Sequence, residues 1–162
     1  MLFLVATTRK DRMTTAEEIW NEDEPPSWPR GAHPRRVLVA EDDAAMRDLL
    51  LLVLRERGYD VDCVSNGAQM SSVLSQRHPD GSLAEPFDLI VTDVRMPGVS
   101  GLDAIEQLRR AGGMTPVIAV TAFPHDATRT RAHRLEIRLL AKPFDLDALR
   151  EAVKAALDSR AC

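Results

Sequence analysis

The sequence predicts an α/β fold built on a parallel sheet, and three observations carry that prediction. From Arg36 onward, short β-branched runs alternate with stretches of helical periodicity, the pattern of repeated strand–helix units. One run, Asp88 to Thr92, is nearly all apolar, as a strand covered on both faces must be. Residues that start helices (Asp43, Asn66, Asp145) and residues that stop them (Gly58, Gly112, Gly113) punctuate the alternation.

Taken in order, Val37 to Ala40 is the first strand, and Asp43 caps a helix from Ala44 to about Arg57 that Gly58 stops. Tyr59 to Val64 is the second strand, after which Asn66 and Gly67 open a helix through about Gln76. The polar stretch from His78 to Pro86 reads as a surface loop. Asp88 to Thr92 is the third strand, and a helix from about Gly101 to Ala111 ends at the glycine pair. Val117 to Val120 is strand four, a polar helix covers about Asp126 to Arg134, and Ile137 to Ala141 is strand five. Asp145 caps the last helix, Leu146 to about Ser159.

Residues 1–34 read differently. They hold an acidic patch (Glu17, Glu18, Glu22, Asp23, Glu24), prolines at 25, 26, 29 and 34, and both tryptophans, Trp20 and Trp28. Proline spacing of this kind favours an extended path, and so short a piece cannot bury a core of its own. We expect a flexible extension, with Met13 a second candidate start, followed by one domain over residues 35–160.

The 162 residues are 44% hydrophobic and 28% charged, ordinary for a globular chain and too apolar for a disordered one. A net charge of -4, no basic stripe and few aromatic residues speak against nucleic acid as a partner. The longest later apolar run, Leu49 to Leu54, is far short of the roughly 20 residues a membrane span requires. The opening Met1 to Ala6 is too short for a signal peptide. Cys63 and Cys162 make no paired framework, so the expected setting is reducing and cytoplasmic, away from membranes.

A parallel sheet binds ligands beyond the carboxyl ends of its strands. The residues there are Glu41, Asp42, Ser65, Asp93, Thr121 and Lys142. Each has a dull explanation alone: a solvated acidic loop, a turn-capping aspartate, a strand-end threonine bonding its own backbone, a surface lysine. Four of those features falling in order at the ends of strands one, three, four and five make the dull explanations hard to sustain together. Carboxylates gathered at one edge suit a hard cation such as Mg²⁺, which takes one or two of them and keeps other ligands for water and phosphate.

"VLVAEDD", "DLIVTDVRMPGVSG", "PVIAVTA" and "AKPF" appear in order and at fitting spacing, and through them residues 35–160 resemble the response-regulator receiver domains related to the chemotaxis protein CheY. The resemblance implies a doubly wound, flavodoxin-like sheet of order 2-1-3-4-5. It implies that Asp93 accepts a phosphoryl group, that Asp42 is a direct Mg²⁺ ligand with Glu41 acting mainly through water, and that the backbone carbonyl of Arg95 is a further ligand. Thr121 would bond the phosphoryl group, Ala122 would keep its approach open, and Lys142 would pair with a carboxylate or phosphoryl oxygen. The Lys142–Pro143 bond would be cis, and Met96, Pro97 and Gly101 would shape the turn after the acceptor.

Two departures stand out. The family usually has an aromatic switch residue where this chain has Leu139, and glycine and alanine where it has Leu135 and Glu136. The expected partners are a histidine kinase or histidine phosphotransfer protein upstream and a protein partner downstream. The latter would meet a face including Arg129, Arg131, Arg134, Leu139 and Asp147. One helix follows strand five, so the receiver is expected to act alone and to catalyse only its own phosphorylation and dephosphorylation. The competing reading is a receiver-like scaffold that is never phosphorylated, which Leu139 favours and the full acidic set opposes. A phosphatase with an aspartate nucleophile is set aside, because Arg95 stands where its second catalytic aspartate would be needed.

Overall fold

The computed structural model describes residues 34–159. The extension with Trp20, Trp28 and Met13, and Cys162 at the other end, lie outside them. Five strands and five helices alternate as β1 (Arg36–Ala40), α1 (Ala44–Arg55), β2 (Asp60–Val64), α2 (Gly67–Leu74), β3 (Leu89–Asp93), α3 (Gly101–Arg110), β4 (Val117–Thr121), α4 (Asp126–Arg134), β5 (Ile137–Ala141) and α5 (Leu146–Asp158). The strands are all parallel in the order β2-β1-β3-β4-β5, the doubly wound arrangement that the sequence predicts.

Side chains alternate across each strand, and this alternation builds two cores. Val37, Val39, Leu89, Val91, Ile118 and Val120 point to the face covered by α1 and α5. Leu38, Ala40, Ile90, Val117 and Ala119 point to the face covered by α2, α3 and α4. The central strands β3 and β4 are therefore apolar at nearly every position, while the edge strand β2 buries only Val61. Among the described residues no helix is long and apolar enough to cross a membrane.

Boundaries differ from the sequence reading by one or two residues, with local causes. Strand β3 begins at Leu89 because the Asp88 carboxylate is taken up by the Arg36 amide at 2.9 Å and by Arg35 at 3.0 Å. It ends on Asp93, whose neighbour across the ladder is Val120. Helix α1 closes at Arg55, and Gly58 turns the chain with φ of 79°. Helix α2 stops at Leu74, since Arg77 pairs with Leu83 in an isolated antiparallel bridge.

The stretch from His78 to Pro86 is a loop, as expected, but a tied one. The Glu85 carboxylate accepts from the amides of Met114 and Thr115, at 2.9 and 2.7 Å, and from the Thr115 hydroxyl at 2.5 Å. Two glycines set how closely the layers approach. A Cβ on Gly101 would stand 2.1 Å from the carbonyl oxygen of Asp93, and one on Gly67 would stand 1.8 Å from that of Val99. The starts of α2 and α3 thus press directly on the backbone that carries and follows Asp93.

Candidate functional site

The carboxyl ends of β1, β3, β4 and β5 bring Glu41, Asp93, Thr121 and Lys142 to one edge. Oxygens of Glu41, Asp42 and Asp93 lie within 4.8 Å of one another. Into this cluster reaches Lys142, whose Nζ donates to Glu41 Oε2 at 3.0 Å and to Asp93 Oδ2 at 3.2 Å. The lysine comes from a position 101 residues beyond Glu41. The Lys142–Pro143 bond is cis.

Each carboxylate has its own setting. Glu41 is fully buried, with Oε1 accepting from the Asp43 amide at 3.1 Å. Burial pushes its pKa up; the Lys142 and Asp43 hydrogen bonds oppose that, and the nearby charge of Asp93 adds to it. Asp42 is exposed, at the mouth. The Asp93 side chain is 12% exposed, and its Oδ1 accepts from the Arg95 amide at 2.9 Å. Burial pulls the Lys142 ammonium down, but its bond to Glu41 and the pull of Asp93 outweigh that and hold its pKa above the ordinary value.

Local structure aims these groups. The Thr92 hydroxyl donates to the Asp93 carbonyl at 2.9 Å, and a capping box of Ser100 and Asp103 fixes the start of α3. The Thr121 hydroxyl accepts from the Phe123 amide at 3.2 Å and makes no bond to the acid cluster. Ala122 beside it is exposed, which leaves space. Arg95 stacks its guanidinium 5.4 Å from the ring centre of Phe123. Ser65 stays apart, bonding Gln69 instead. Leu139 is half-buried against the core on the α3–α4 side. Beside the cluster opens a groove of about 520 Å³ lined in part by Val94, Arg95, Ser100, Thr128 and Arg131.

Sequence reasoning missed two features here. Arg131 on α4 bonds Asp103 at 2.6 Å and Glu106 at 2.5 Å on α3, a pairing across 28 and 25 residues that no local pattern announces. Arg47 reaches the backbone of the acidic segment, donating to the Glu41 carbonyl at 2.9 Å. An arginine three to four residues into a helix that follows an acidic loop is the only signal that points to it.

The donor set is three carboxylates with one lysine, which fits a hard divalent cation. The family model described as the response regulator receiver domain matches residues 37–154. The chain belongs to this receiver family. Receiver domains bind Mg²⁺ at an acidic pocket and work with histidine kinases or phosphotransfer proteins. The receiver is 35% identical over 133 residues to the alkaline phosphatase synthesis transcriptional regulatory protein SphR of Synechococcus elongatus, a match covering 80% of this chain and 51% of that protein. It is 37% identical over 123 residues to the response regulator protein PmrA of Pseudomonas aeruginosa, covering 74% and 51%. The chain thus spans about half the length of these curated relatives.

Solved structures agree. A response regulator receiver protein from Pseudomonas putida superposes with a TM-score of 0.65 at 30% identity, over 76% of this chain and 98% of that one. The receiver domain of a sensor histidine kinase from Pseudomonas aeruginosa, which has a magnesium ion coordinated in its active site cleft, gives 0.66 at 25% identity over 78% and 99%.

Proposed function

We propose that this receiver accepts a phosphoryl group on Asp93 from a histidine kinase or histidine phosphotransfer protein and passes the signal to a downstream protein partner. The observation that carries the reading is Lys142, whose ammonium bridges Glu41 and Asp93 at the edge where three carboxylates meet. A lysine drawn in between two acids to 19% exposure stands where it would meet the oxygens of a phosphoryl group arriving at Asp93.

In this reading an Asp93 oxygen attacks phosphorus in line. The bond from phosphorus to the donor's nitrogen or oxygen breaks, and the leaving group takes the electron pair. Lys142 is held where it can offset charge on the transferring oxygens, and the Arg95 amide fixes the second Asp93 oxygen. Asp42, Asp93 and the Arg95 carbonyl would hold Mg²⁺, with Glu41 acting mainly through water, and the ion supplies charge that offsets the approach of anion to anion. Thr121 would bond the transferred group, and exposed Ala122 leaves its approach open. The chain is no enzyme towards other substrates; it promotes only its own phosphorylation and dephosphorylation. The reaction belongs to the cytoplasm, where the phosphodonor is.

A second reading is a scaffold that is never phosphorylated, favoured by Leu139, which lacks the hydroxyl and ring of an aromatic switch. Incubation with acetyl phosphate and Mg²⁺ followed by intact mass separates the two. Wild type should gain one phosphoryl group, and Asp93→Asn, which has no anionic oxygen to attack with, should gain none. Full incorporation in Asp93→Asn would displace the acceptor, and none in wild type would favour the scaffold.

A further inference from the structure

Arg47 sits at the end of the first turn of α1, a place where the helix dipole favours acids over cations. Among the described residues it forms no ion pair, although Asp43 and Asp48 flank it on the same helix start. Its Nη1 instead donates to the carbonyl of Glu41 at 2.9 Å and lies 3.4 Å from the carbonyl of Asp42. These are consecutive carbonyls just beyond β1, and their residues supply two of the three carboxylates in the cluster. A residue that departs from the local rule for helix starts, and makes a bond to a functional segment in doing so, is where a positioning role is to be sought.

We propose that Arg47 is a positioning residue for the acid pocket: by holding the Glu41 and Asp42 carbonyls it fixes the path of the segment whose side chains meet the cation. The proposal rests on the Mg²⁺ and phosphoryl reading given above. Glu41 is then held at four points, its amide by the Val64 carbonyl, its own carbonyl by Arg47, Oε1 by the Asp43 amide and Oε2 by Lys142. Exposed Asp42 has no such side-chain anchor, so its aim depends on its backbone, which Arg47 steadies. A guanidinium suits this task because its planar donors can serve two neighbouring acceptors at once.

Geometry and charge predict opposite signs here, which makes the role testable. Were Arg47 only a nearby positive charge, its removal would make the pocket more negative and tighten Mg²⁺ binding. As a positioning residue, its loss loosens the ligand set and weakens binding.

The experiment titrates Mg²⁺ by calorimetry into the full chain as wild type, Arg47→Met and Arg47→Lys, with thermal unfolding run on each. Arg47→Met should bind Mg²⁺ about tenfold more weakly, the loss usual for an outer-shell partner, and Arg47→Lys should fall between it and wild type. The Mg²⁺ concentration for half-maximal labelling by acetyl phosphate should rise in step, while the rate at saturating Mg²⁺ stays within about twofold of wild type. Unchanged or tighter Mg²⁺ binding in folded Arg47→Met overturns the proposal and leaves the pocket reading intact. If Arg47→Met does not fold, Arg47→Lys decides: weakened binding supports the role and wild-type binding overturns it. Failure of wild type itself to bind Mg²⁺ would sink the pocket reading and this inference with it.

Discussion

Helices α3 and α4 flank the groove beside the acid cluster and cover the same face of the sheet, yet they are held in place by different means. Helix α3 starts with a capping box and buries Gly101, Leu102, Ala104, Ile105 and Leu108. Helix α4 starts at His125 with no side-chain cap and buries only Thr128 and Ala132. What ties α4 sideways is Arg131, bonded to Asp103 and Glu106 of α3, with Arg134 3.5 Å from Glu106. The helix leading away from Asp93 is thus fixed by packing, which resists small displacement. The next buries little and leans on half-buried ion pairs, which yield at lower cost. A protein that must keep its chemistry rigid and let one surface respond needs this division.

The comparison breaks first, and by most, at the centre of α3. Ile105 is fully buried, and Ile105→Ala should cost about 2–5 kcal/mol in urea unfolding, whereas Ala132→Gly in α4 should cost about 1–2 kcal/mol, the helix-propensity difference plus one buried methyl. Amide exchange sharpens the same contrast: α4 protons should open at lower free energy than those of α3. Next comes Gly101→Ala, whose new methyl meets backbone rather than a movable side chain; about 1–3 kcal/mol of stability should go, together with slower phosphorylation because Asp93 is what must shift. Ser100→Ala removes one arm of the capping box and should cost about 1 kcal/mol by the same measurement.

The smallest effect belongs to the ion pairs. Arg131→Met should lower the melting temperature less than any of these changes, and the difference should shrink in high salt, since these half-buried pairs still face solvent. Acid should shrink it too. The Ser100 hydrogen bond and then Arg131 hold the Asp103 carboxyl below its ordinary range, and Arg131 does the same for Glu106. A depressed carboxyl pKa contributes stability above the unfolded value and loses it as pH falls through the folded one. Melting curves of wild type and Arg131→Met should therefore converge in strongly acid solution and separate again above it. A difference that persisted there would mean that Arg131 holds α4 through something other than its two ion pairs.

Much of this was legible in the sequence because periodicity and punctuation are local. The runs that become β1, β3 and β4 declare themselves by composition, and Asp43, Asn66 and Asp145 cap the helices that they were read to cap. The candidate acceptor, lysine and acids were visible as strand-end residues once the strands were counted. What stayed hidden depends on pairs that only the fold brings together. Arg131 meets Asp103, Glu85 latches the α2–β3 loop to Thr115, and Gly67 admits the Val99 carbonyl. Leu135 and Glu136, noted as departures, end in a non-glycine residue at φ of 56°, a left-handed conformation costing about 1–2 kcal/mol that the turn into β5 imposes. The resemblance to the family marks such a residue as unusual but does not give its dihedral.

The lysine that completes the acid cluster follows the edge strand β5, 101 residues after Glu41 and 49 after Asp93. A chain that has emerged only through β4 gathers the three carboxylates without that ammonium, and their mutual repulsion opposes closing the edge. Docking of β5 along β4 brings Lys142 to that edge and relieves the repulsion. A product that stops before Lys142 therefore carries Asp93 without the ammonium that pairs with it in the folded domain.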